Sequence, residues 1–142
     1  MKIRLVMLGK TQRAECRAML EDYAARIRRF AEMEVSEMRE ESAALKRLSF
    51  APGSTVVLLD AEGKPFSTAA FAKWIGTQRD RGTRELMFLC GGAEGFPAAL
   101  REKATFKLAL SPLTMPHELA RVVLAEQIYR AFTILAGHPY SK

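Results

Sequence analysis

Two apolar runs constrain the fold of this chain more than any other feature. Residues 55–60 read TVVLLD and residues 85–90 read ELMFLC, so neither run alternates between polar and apolar side chains. A strand without a polar face is buried on both sides, which is typical of a parallel sheet covered by helices. The chain must therefore supply helices for both faces of a sheet.

Helical and extended patterns alternate along the sequence. Strands are predicted at residues 3–8, 33–38, 55–60, 85–90 and 106–110. Helices are predicted at residues 11–30 and 42–48, from Ser67 or Thr68 onward, and at residues 97–104 and 116–135, with a turn at residues 61–65. This alternation predicts a single α/β domain over residues 1–142, with a mainly parallel sheet flanked by helices.

The helical spacing of apolar residues predicts which faces of the helices are buried. For the first helix the expected inward residues are Cys16, Met19, Tyr23, Ile27 and Phe30. For the last helix they are Leu119, Val122, Val123, Tyr129 and Phe132, with Ile128 beside them and Glu126 as an interruption.

The charge balance favours a polyanionic partner. Lys and Arg number 22 against 16 Asp and Glu, for a formal charge of +6, which suits nucleic acid and predicts salt-sensitive binding. The arginines of the first helix, such as Arg17 and Arg28, are more typical of a solvated helix surface than of a specific contact with a partner. No apolar run approaches the roughly 20 residues of a membrane span, and two cysteines form no disulfide framework. We expect a cytoplasmic protein without a membrane partner.

Two loops are the best candidates for a ligand site. Residues 91–95 read GGAEG after one predicted strand, and residues 111–116 read SPLTMP after the next. Glycine lets a ligand approach the main chain closely, and proline stiffens a loop. Since ligands of open α/β sheets bind at the carboxyl ends of the strands, these loops indicate a binding site.

Several common sites are disfavoured. The sequence has no Gly-x-x-x-x-Gly-Lys-[Ser/Thr] motif, and the first strand is followed only by Gly9 and Lys10 instead of a dinucleotide-binding fingerprint. His117, His138 and the two cysteines do not fall at metal-ligand spacings, so no metal is expected. Ser111 lacks the Gly-x-Ser-x-Gly context of a hydrolase nucleophile.

Five segments in order along the chain match one known family. They read LLDAEGKP (58–65), GGAEG (91–95), LSPLTMPH (110–117), RVVLAEQIYRA (121–131) and HPY (138–140). The chain resembles the ribosomal RNA large subunit methyltransferase H family of the SPOUT superfamily. The resemblance implies an α/β domain with a C-terminal trefoil knot, which is rare among folds, and a homodimer. It also implies S-adenosylmethionine-dependent methylation of N3 of a pseudouridine in 23S ribosomal RNA. The implied substrate is the assembled ribosome, at the stem-loop that bridges its subunits.

The resemblance assigns cofactor-binding residues by position. They are Leu59, Gly91, Leu110, Ser111, Pro112, Leu113, Thr114 and Met115. Physical chemistry agrees, because an adenine ring needs apolar walls and nearby main-chain donors and acceptors. Core packing is the alternative interpretation for the leucines.

Four residues are candidates for catalysis. Arg121 and Arg130 are suited to bind a phosphate or to stabilise an imide anion, or else they lie on a solvated helix face. The tail with His138 and Tyr140 forms either a flap over the active site or a frayed terminus. Ser141 stands where tails of this family usually have histidine.

Three other functions remain open at this point. A different SPOUT methyltransferase would act on transfer RNA, and a ribosome-binding factor would keep the fold without catalysis. A nicotinamide-linked enzyme is disfavoured by the first strand–helix turn.

Overall fold

The structure is a computed structural model that describes residues 1–39, 50–92 and 95–140. The helix predicted at residues 42–48 lies outside these residues. The strands are β1 (Lys2–Leu8), β2 (Met33–Met38), β3 (Ser54–Pro65), β4 (Glu85–Cys90) and β5 (Phe106–Ala109). The helices are α1 (Ala14–Ile27), α2 (Thr68–Asp80), α3 (Ala98–Lys103) and α4 (His117–Leu135). Among these helices, none combines the length and the hydropathy needed to cross a membrane.

The five strands form one sheet in the order β2-β1-β4-β3-β5, and every pair is parallel. The predicted parallel sheet is therefore confirmed. Strand β4 lies at its centre, with Leu86 opposite Ile3 of β1 and Thr55 of β3. Residues 86–90 of β4 are all buried, as its continuous apolar sequence indicated.

Helices cover both faces of the sheet, as predicted. On one face, side chains such as Leu5 and Phe88 pack against α1, α2 and α4. On the other face, alternate side chains such as Val6 and Leu89 pack against Leu100 of α3. The alternation of side chains along each strand divides the core into these two clusters.

The prediction for the buried face of α1 was partly wrong. Cys16 and Ile27 are buried as expected, but Met19 is 48 % exposed and Phe30, just beyond the helix, is 36 % exposed. Leu20 and Ala24 are buried instead. Met19 and Leu20 are adjacent in the sequence, so two overlapping stripes fit the helical spacing, and packing against α4 and the sheet selected one.

The prediction for α4 was also partly wrong. Leu119 is 43 % exposed, whereas Leu124, Ala125, Ile128 and Ala131 are buried together with the expected Val122, Tyr129 and Phe132. Helix α4 packs against α1, α2 and the sheet at once. Its buried surface is therefore wider than the single stripe that an outer helix shows.

The predicted turn at residues 61–65 is part of a bulge in β3. Leu59 and Lys64 both lie opposite Leu108 of β5, so the residues between them loop out of the ladder. A Cβ atom on Gly63 would lie 2.7 Å from the main-chain carbon and oxygen of Lys107. Only glycine lets the bulge approach β5 this closely.

The final helix does not start beside the strand that precedes it. Strand β5 lies at one edge of the sheet, yet Arg121 of α4 contacts the carboxyl end of β1. Residues 110–116 must therefore cross the carboxyl edge of the sheet past β3 and β4. This crossing places a stiff loop above the strand ends.

We expect Gly63→Ala to destabilise the fold by about 2–4 kcal/mol, because the added methyl group meets rigid main chain and not a flexible side chain. Gly76→Ala is the matched control. There the nearest atom is the side-chain Cδ2 of Leu135 at 2.9 Å, and alanine gains about 1 kcal/mol of helix propensity. Urea unfolding of both variants tests this, and equal unfolding free energies would contradict the bulge constraint.

Candidate functional site

A cavity of ≈ 250 Å³ lies beside the bulge of β3 and the carboxyl end of β4. Residues 110–116, which we call the crossing segment, lie above it. We call it the carboxyl-edge cavity. All of the predicted cofactor residues except Pro112 line it, namely Leu59, Gly91, Leu110, Ser111, Leu113, Thr114 and Met115. The fold thus brings together residues from three separate segments. Their role in binding a cofactor stays a prediction.

Gly91 keeps one wall of this cavity thin. A Cβ atom at Gly91 would lie 3.3 Å from Cε2 of the Phe96 ring, which also lines the cavity. The loop then turns tightly, since the Gly95 N–H donates to the Gly92 carbonyl at 3.2 Å and Gly95 has φ +77°. A ligand can therefore lie directly against the main chain at the end of β4.

The crossing segment supplies the opposite wall. The Ser111 hydroxyl accepts a hydrogen bond from the Leu113 N–H at 2.9 Å, which fixes the turn before Pro116. Leu113 is 79 % exposed, so the interpretation of this leucine as a core residue is wrong. Leu59 and Leu110 do pack against the core while also lining the cavity.

Sequence reasoning missed a charged pair at the rim. Asp60 and Arg101 both line the cavity, with Oδ2 of Asp60 3.6 Å from Nη1 of Arg101. The other carboxylate oxygen of Asp60 accepts from the Glu62 N–H at 2.9 Å. Asp60 ends the strand predicted at residues 55–60 and directly follows Leu59, so its position in the sequence could have indicated its place in the site. The sequence gives no such indication for Arg101, because the position of Arg101 depends on how α3 packs.

Cys90 lies at the floor of the cavity and is almost completely buried. Burial raises the pKa of its thiol to about 12, although the positive charge of Arg121 opposes this shift. The thiol is therefore protonated and a poor nucleophile at neutral pH. This environment suits a small core residue.

Arg121 is not on a solvated helix face, because its side chain is completely buried. Its Nη1 donates to the Thr11 hydroxyl at 2.9 Å, and its Nη2 donates to the Leu8 carbonyl at 2.8 Å. In this arrangement the guanidinium is not accessible to an RNA phosphate. Arg121 instead fastens α4 to the end of β1.

Glu118 makes a second link at the same place. Its Oε1 accepts the Arg13 N–H at 2.9 Å, so it satisfies a main-chain donor at the start of α1. The N–H groups of Arg13 and Gln12 lower the pKa of this carboxyl group. Glu118 thus stays ionised at neutral pH, and the link persists.

The tail is not a frayed terminus up to residue 140. The Tyr140 hydroxyl donates to Oε1 of Glu126 at 3.0 Å, and Nε of Arg130 donates to the same oxygen at 2.8 Å. The Tyr140 ring lies 4.6 Å from the Tyr129 ring and 5.0 Å from the Arg130 guanidinium carbon. We call Glu126, Arg130 and Tyr140 the tail cluster.

Tyr140 and Arg130 of the tail cluster hold their protons firmly. Burial, together with hydrogen bonds to Tyr23 and Glu126, raises the pKa of Tyr140 well above its usual range. The hydrogen bond to Glu126 raises the pKa of Arg130. At neutral pH the cluster therefore contains a phenol that can donate and a guanidinium cation.

The structure does not bring the tail cluster to the cavity within one chain. Ala120 lines the cavity, and Arg130 is ten residues further along α4, or about 15 Å at the helical rise. His138 is exposed, and its Nδ1 accepts the Tyr140 N–H at 3.2 Å. Of the four predicted catalytic residues, Arg121 is therefore a buried structural link. Arg130, His138 and Tyr140 lie together at the other end of α4 and in the tail.

Comparison with known proteins identifies the family. Residues 1–141 match the model of a family described as "Predicted SPOUT methyltransferase". The chain belongs to the SPOUT methyltransferase family. It is 41 % identical over 151 residues to a Geobacter sp. (strain M21) protein named ribosomal RNA large subunit methyltransferase H, covering 99 % of this chain and 98 % of the relative. A Solibacter usitatus protein of the same name is 44 % identical over 140 residues, covering 99 % of both.

Family membership implies the C-terminal trefoil knot expected from the resemblance. In this SPOUT methyltransferase, residues 110–116 cross the carboxyl edge of the sheet before α4 begins near β1. The same crossing covers the cavity. The path that the chain takes from β5 to α4 therefore also forms one wall of the cavity.

We expect Arg121→Met to lower the free energy of unfolding by about 1–3 kcal/mol, because it leaves the buried Leu8 carbonyl and Thr11 hydroxyl without donors. Arg79→Met is the control, since Arg79 is half exposed and, within the part of the chain that the structure describes, its one ion pair is with Asp80 at 3.3 Å. Its effect should stay within about 0.5 kcal/mol. Urea denaturation measures both, and similar values would show that the link contributes nothing.

Proposed function

We propose that this chain methylates N3 of a pseudouridine in 23S ribosomal RNA, using S-adenosylmethionine as methyl donor. The proposed substrate is the stem-loop that bridges the two subunits of an assembled cytoplasmic ribosome. The proposed enzyme is a homodimer. Full-length relatives named ribosomal RNA large subunit methyltransferase H support the substrate class. The observation that supports the activity most is the carboxyl-edge cavity, which collects family motif residues spread from Leu59 to Met115.

The residues of this cavity fit S-adenosylmethionine. Leu59, Leu110 and Met115 offer apolar walls for an adenine ring, and the bare main chain at Gly91 offers hydrogen-bonding groups beside them. Asp60 adds a carboxylate at the rim that can accept hydrogen bonds from ligand hydroxyls. Bound there, the cofactor would supply an electrophilic methyl group on a sulfonium, the centre of an in-line displacement.

The chain's main contribution to such a displacement is positioning. The stiff crossing segment and the end of β4 fix two walls of the cavity relative to the sheet. The acceptor nitrogen must also lose its proton, and the resulting imide anion needs stabilisation. Arg130 is suited to this task and Tyr140 packs against it, but Arg130 lies about 15 Å along α4 from the cavity of its own chain.

A homodimer accounts for that distance if the tail cluster of one protomer lies beside the cavity of its partner. The outer surface of α1 and α4 supports such an interface. Large apolar side chains are exposed on both helices and just beyond α1, namely Met19, Phe30, Leu119 and Ile134. Exposed apolar side chains on two helices that pack together suit an interface between subunits.

We expect the wild-type protein to sediment as a dimer at micromolar concentration. Ile134→Glu should shift it toward monomer, because a charge would be buried in the proposed interface. Lys73→Glu on the exposed surface of α2 is the control and should leave the dimer intact. Sedimentation of the wild-type protein as a monomer alone would rule out the interface.

The activity is tested by transfer of a radiolabelled methyl group from S-adenosylmethionine. The acceptors are intact ribosomes, separated large subunits and transfer RNA, all lacking the modification. We expect label in 23S RNA of intact ribosomes, at a nucleoside that mass spectrometry identifies as N3-methylpseudouridine. Gly91→Val should abolish cofactor binding in calorimetry and methyl transfer together, since its side chain meets Phe96 in the cavity.

Other outcomes would replace the proposal. Label in transfer RNA would indicate a SPOUT methyltransferase with a different substrate. Absence of both label and cofactor binding would indicate a ribosome-binding factor without catalysis. Label in isolated large subunits as strong as in intact ribosomes would contradict the need for the subunit bridge.

A further inference from the structure

A second cavity lies at the opposite, amino edge of the sheet, between the starts of β3 and β5 and the end of α2. Its volume is ≈ 430 Å³, and it is lined by Trp74, Gln78, Arg81, Thr83, Thr105 and Phe106, among others. We call it the amino-edge cavity. Strand β4 has six residues, so the two cavities are about 20 Å apart across the sheet. The methyl-transfer site does not use it.

Gln78 is a buried polar group turned into this cavity. The residue is 8 % exposed, and its carboxamide oxygen accepts hydrogen bonds from the Thr55 hydroxyl at 3.0 Å and the Thr83 hydroxyl at 2.8 Å. Among the residues that the structure describes, no side chain or main-chain group bonds the other end of this carboxamide. The amide nitrogen is not one of the buried polar atoms without a partner, so it reaches the solvent of the cavity and is available to donate to a ligand there.

Aromatic rings form a second part of the cavity. The Trp74 and Phe106 rings line it, with centroids 5.2 Å apart, and both side chains are only partly buried. Phe66 and Phe71 pack behind Trp74 and hold it in place. Flat rings that keep an exposed part beside a polar group are suited to contact a nucleobase.

The rim of the cavity is positively charged. Residues 79–84 read RDRGTR, in which the single acidic side chain, Asp80, pairs with Arg79 at 3.3 Å. Arg81 lines the cavity and is exposed, and Arg84 lies next to Gly53 at the same edge. A guanidinium at this position is suited to a phosphate group.

We propose that the amino-edge cavity binds an unpaired nucleotide of the RNA that the enzyme methylates. The base contacts Trp74 and Phe106, the free end of the Gln78 carboxamide bonds the base edge, and Arg81 contacts the phosphate. This inference rests on the proposed function. At about 20 Å from the methyl donor, the nucleotide takes no part in the chemistry and serves to anchor the RNA.

Trp74 is the single tryptophan of the chain, so its fluorescence reports on this cavity directly. The probes are the pentaribonucleotides of uridine and of adenosine, with free uridine and adenosine monophosphates beside them. We expect at least one pentanucleotide to quench Trp74 at lower concentration than the monophosphates do. Gln78→Glu should weaken that binding about tenfold, because it keeps the acceptor for both threonines but places an anion in the cavity.

Gln127→Glu is the matched control. It makes the same change in charge at a glutamine on α4 that accepts from the Thr68 hydroxyl at 3.1 Å, away from this cavity. Thermal melting establishes that both variants fold. If Gln78→Glu does not fold, Arg81→Ala replaces it, since that side chain is exposed.

The second readout is methyl transfer to ribosomes. Gln78→Glu should raise KM severalfold with kcat unchanged, whereas Gln127→Glu should alter neither. No quenching by either pentanucleotide at millimolar concentration, or equal affinity of the two variants, would overturn the proposal. Equal quenching by the free monophosphates would overturn it in favour of a small-nucleotide site. Because fluorescence requires no methyl transfer, the outcome is independent of whether the proposed reaction is correct.

Discussion

The structure depends on the link between the start of α4 and the end of β1. The guanidinium of Arg121 supplies donors to the Leu8 carbonyl and the Thr11 hydroxyl, and the Glu118 carboxylate accepts the Arg13 N–H. Main-chain groups at the ends of a strand and a helix lack partners within their own element. Glu118 and Arg121, one turn apart on α4, provide these partners although they are more than 100 residues away in the sequence. The link acts together with the packing of α4 against α1, α2 and the sheet to place α4 near β1 instead of near β5.

The carboxyl-edge cavity follows from this link and from two glycines. Once α4 starts near β1, the crossing segment must lie over the ends of β3 and β4. The bulge of β3, which Gly63 allows by its close approach to Lys107, brings Leu59 and Asp60 to one side. On the other side, Gly91 keeps the wall at the end of β4 thin. Each wall thus has its own main-chain constraint, so the shape of the cavity is fixed before any ligand binds.

Local patterns were enough to predict much of this structure. The bounds of β2 and β4 were predicted correctly, because hydrophobic spacing depends on neighbouring residues alone. The segments that line the cavity were found because strand ends and glycine are visible in sequence. The role of Arg121 was not predictable, since an arginine among apolar residues normally lies in solvent and its partner Leu8 is 113 residues away. Gln78 gave no signal either, because a glutamine near the end of a helix normally lies in solvent.

The tail cluster limits what chemistry its residues can do. A raised pKa keeps the proton on Tyr140, and Arg130 is a cation whose raised pKa leaves it no capacity to accept a proton. Neither can act as a general base toward an acceptor nitrogen. Arg130 keeps N–H groups that can donate hydrogen bonds to an anion, whereas the single O–H of Tyr140 is donated to Glu126, which orients both side chains by accepting from each. In the proposed reaction the cluster is therefore suited to stabilise a deprotonated imide. Solvent or another group must accept the proton that the imide nitrogen loses. Because the imide is far more acidic than an ordinary amide, stabilising its anion is the step in which the fixed cation of Arg130 helps most.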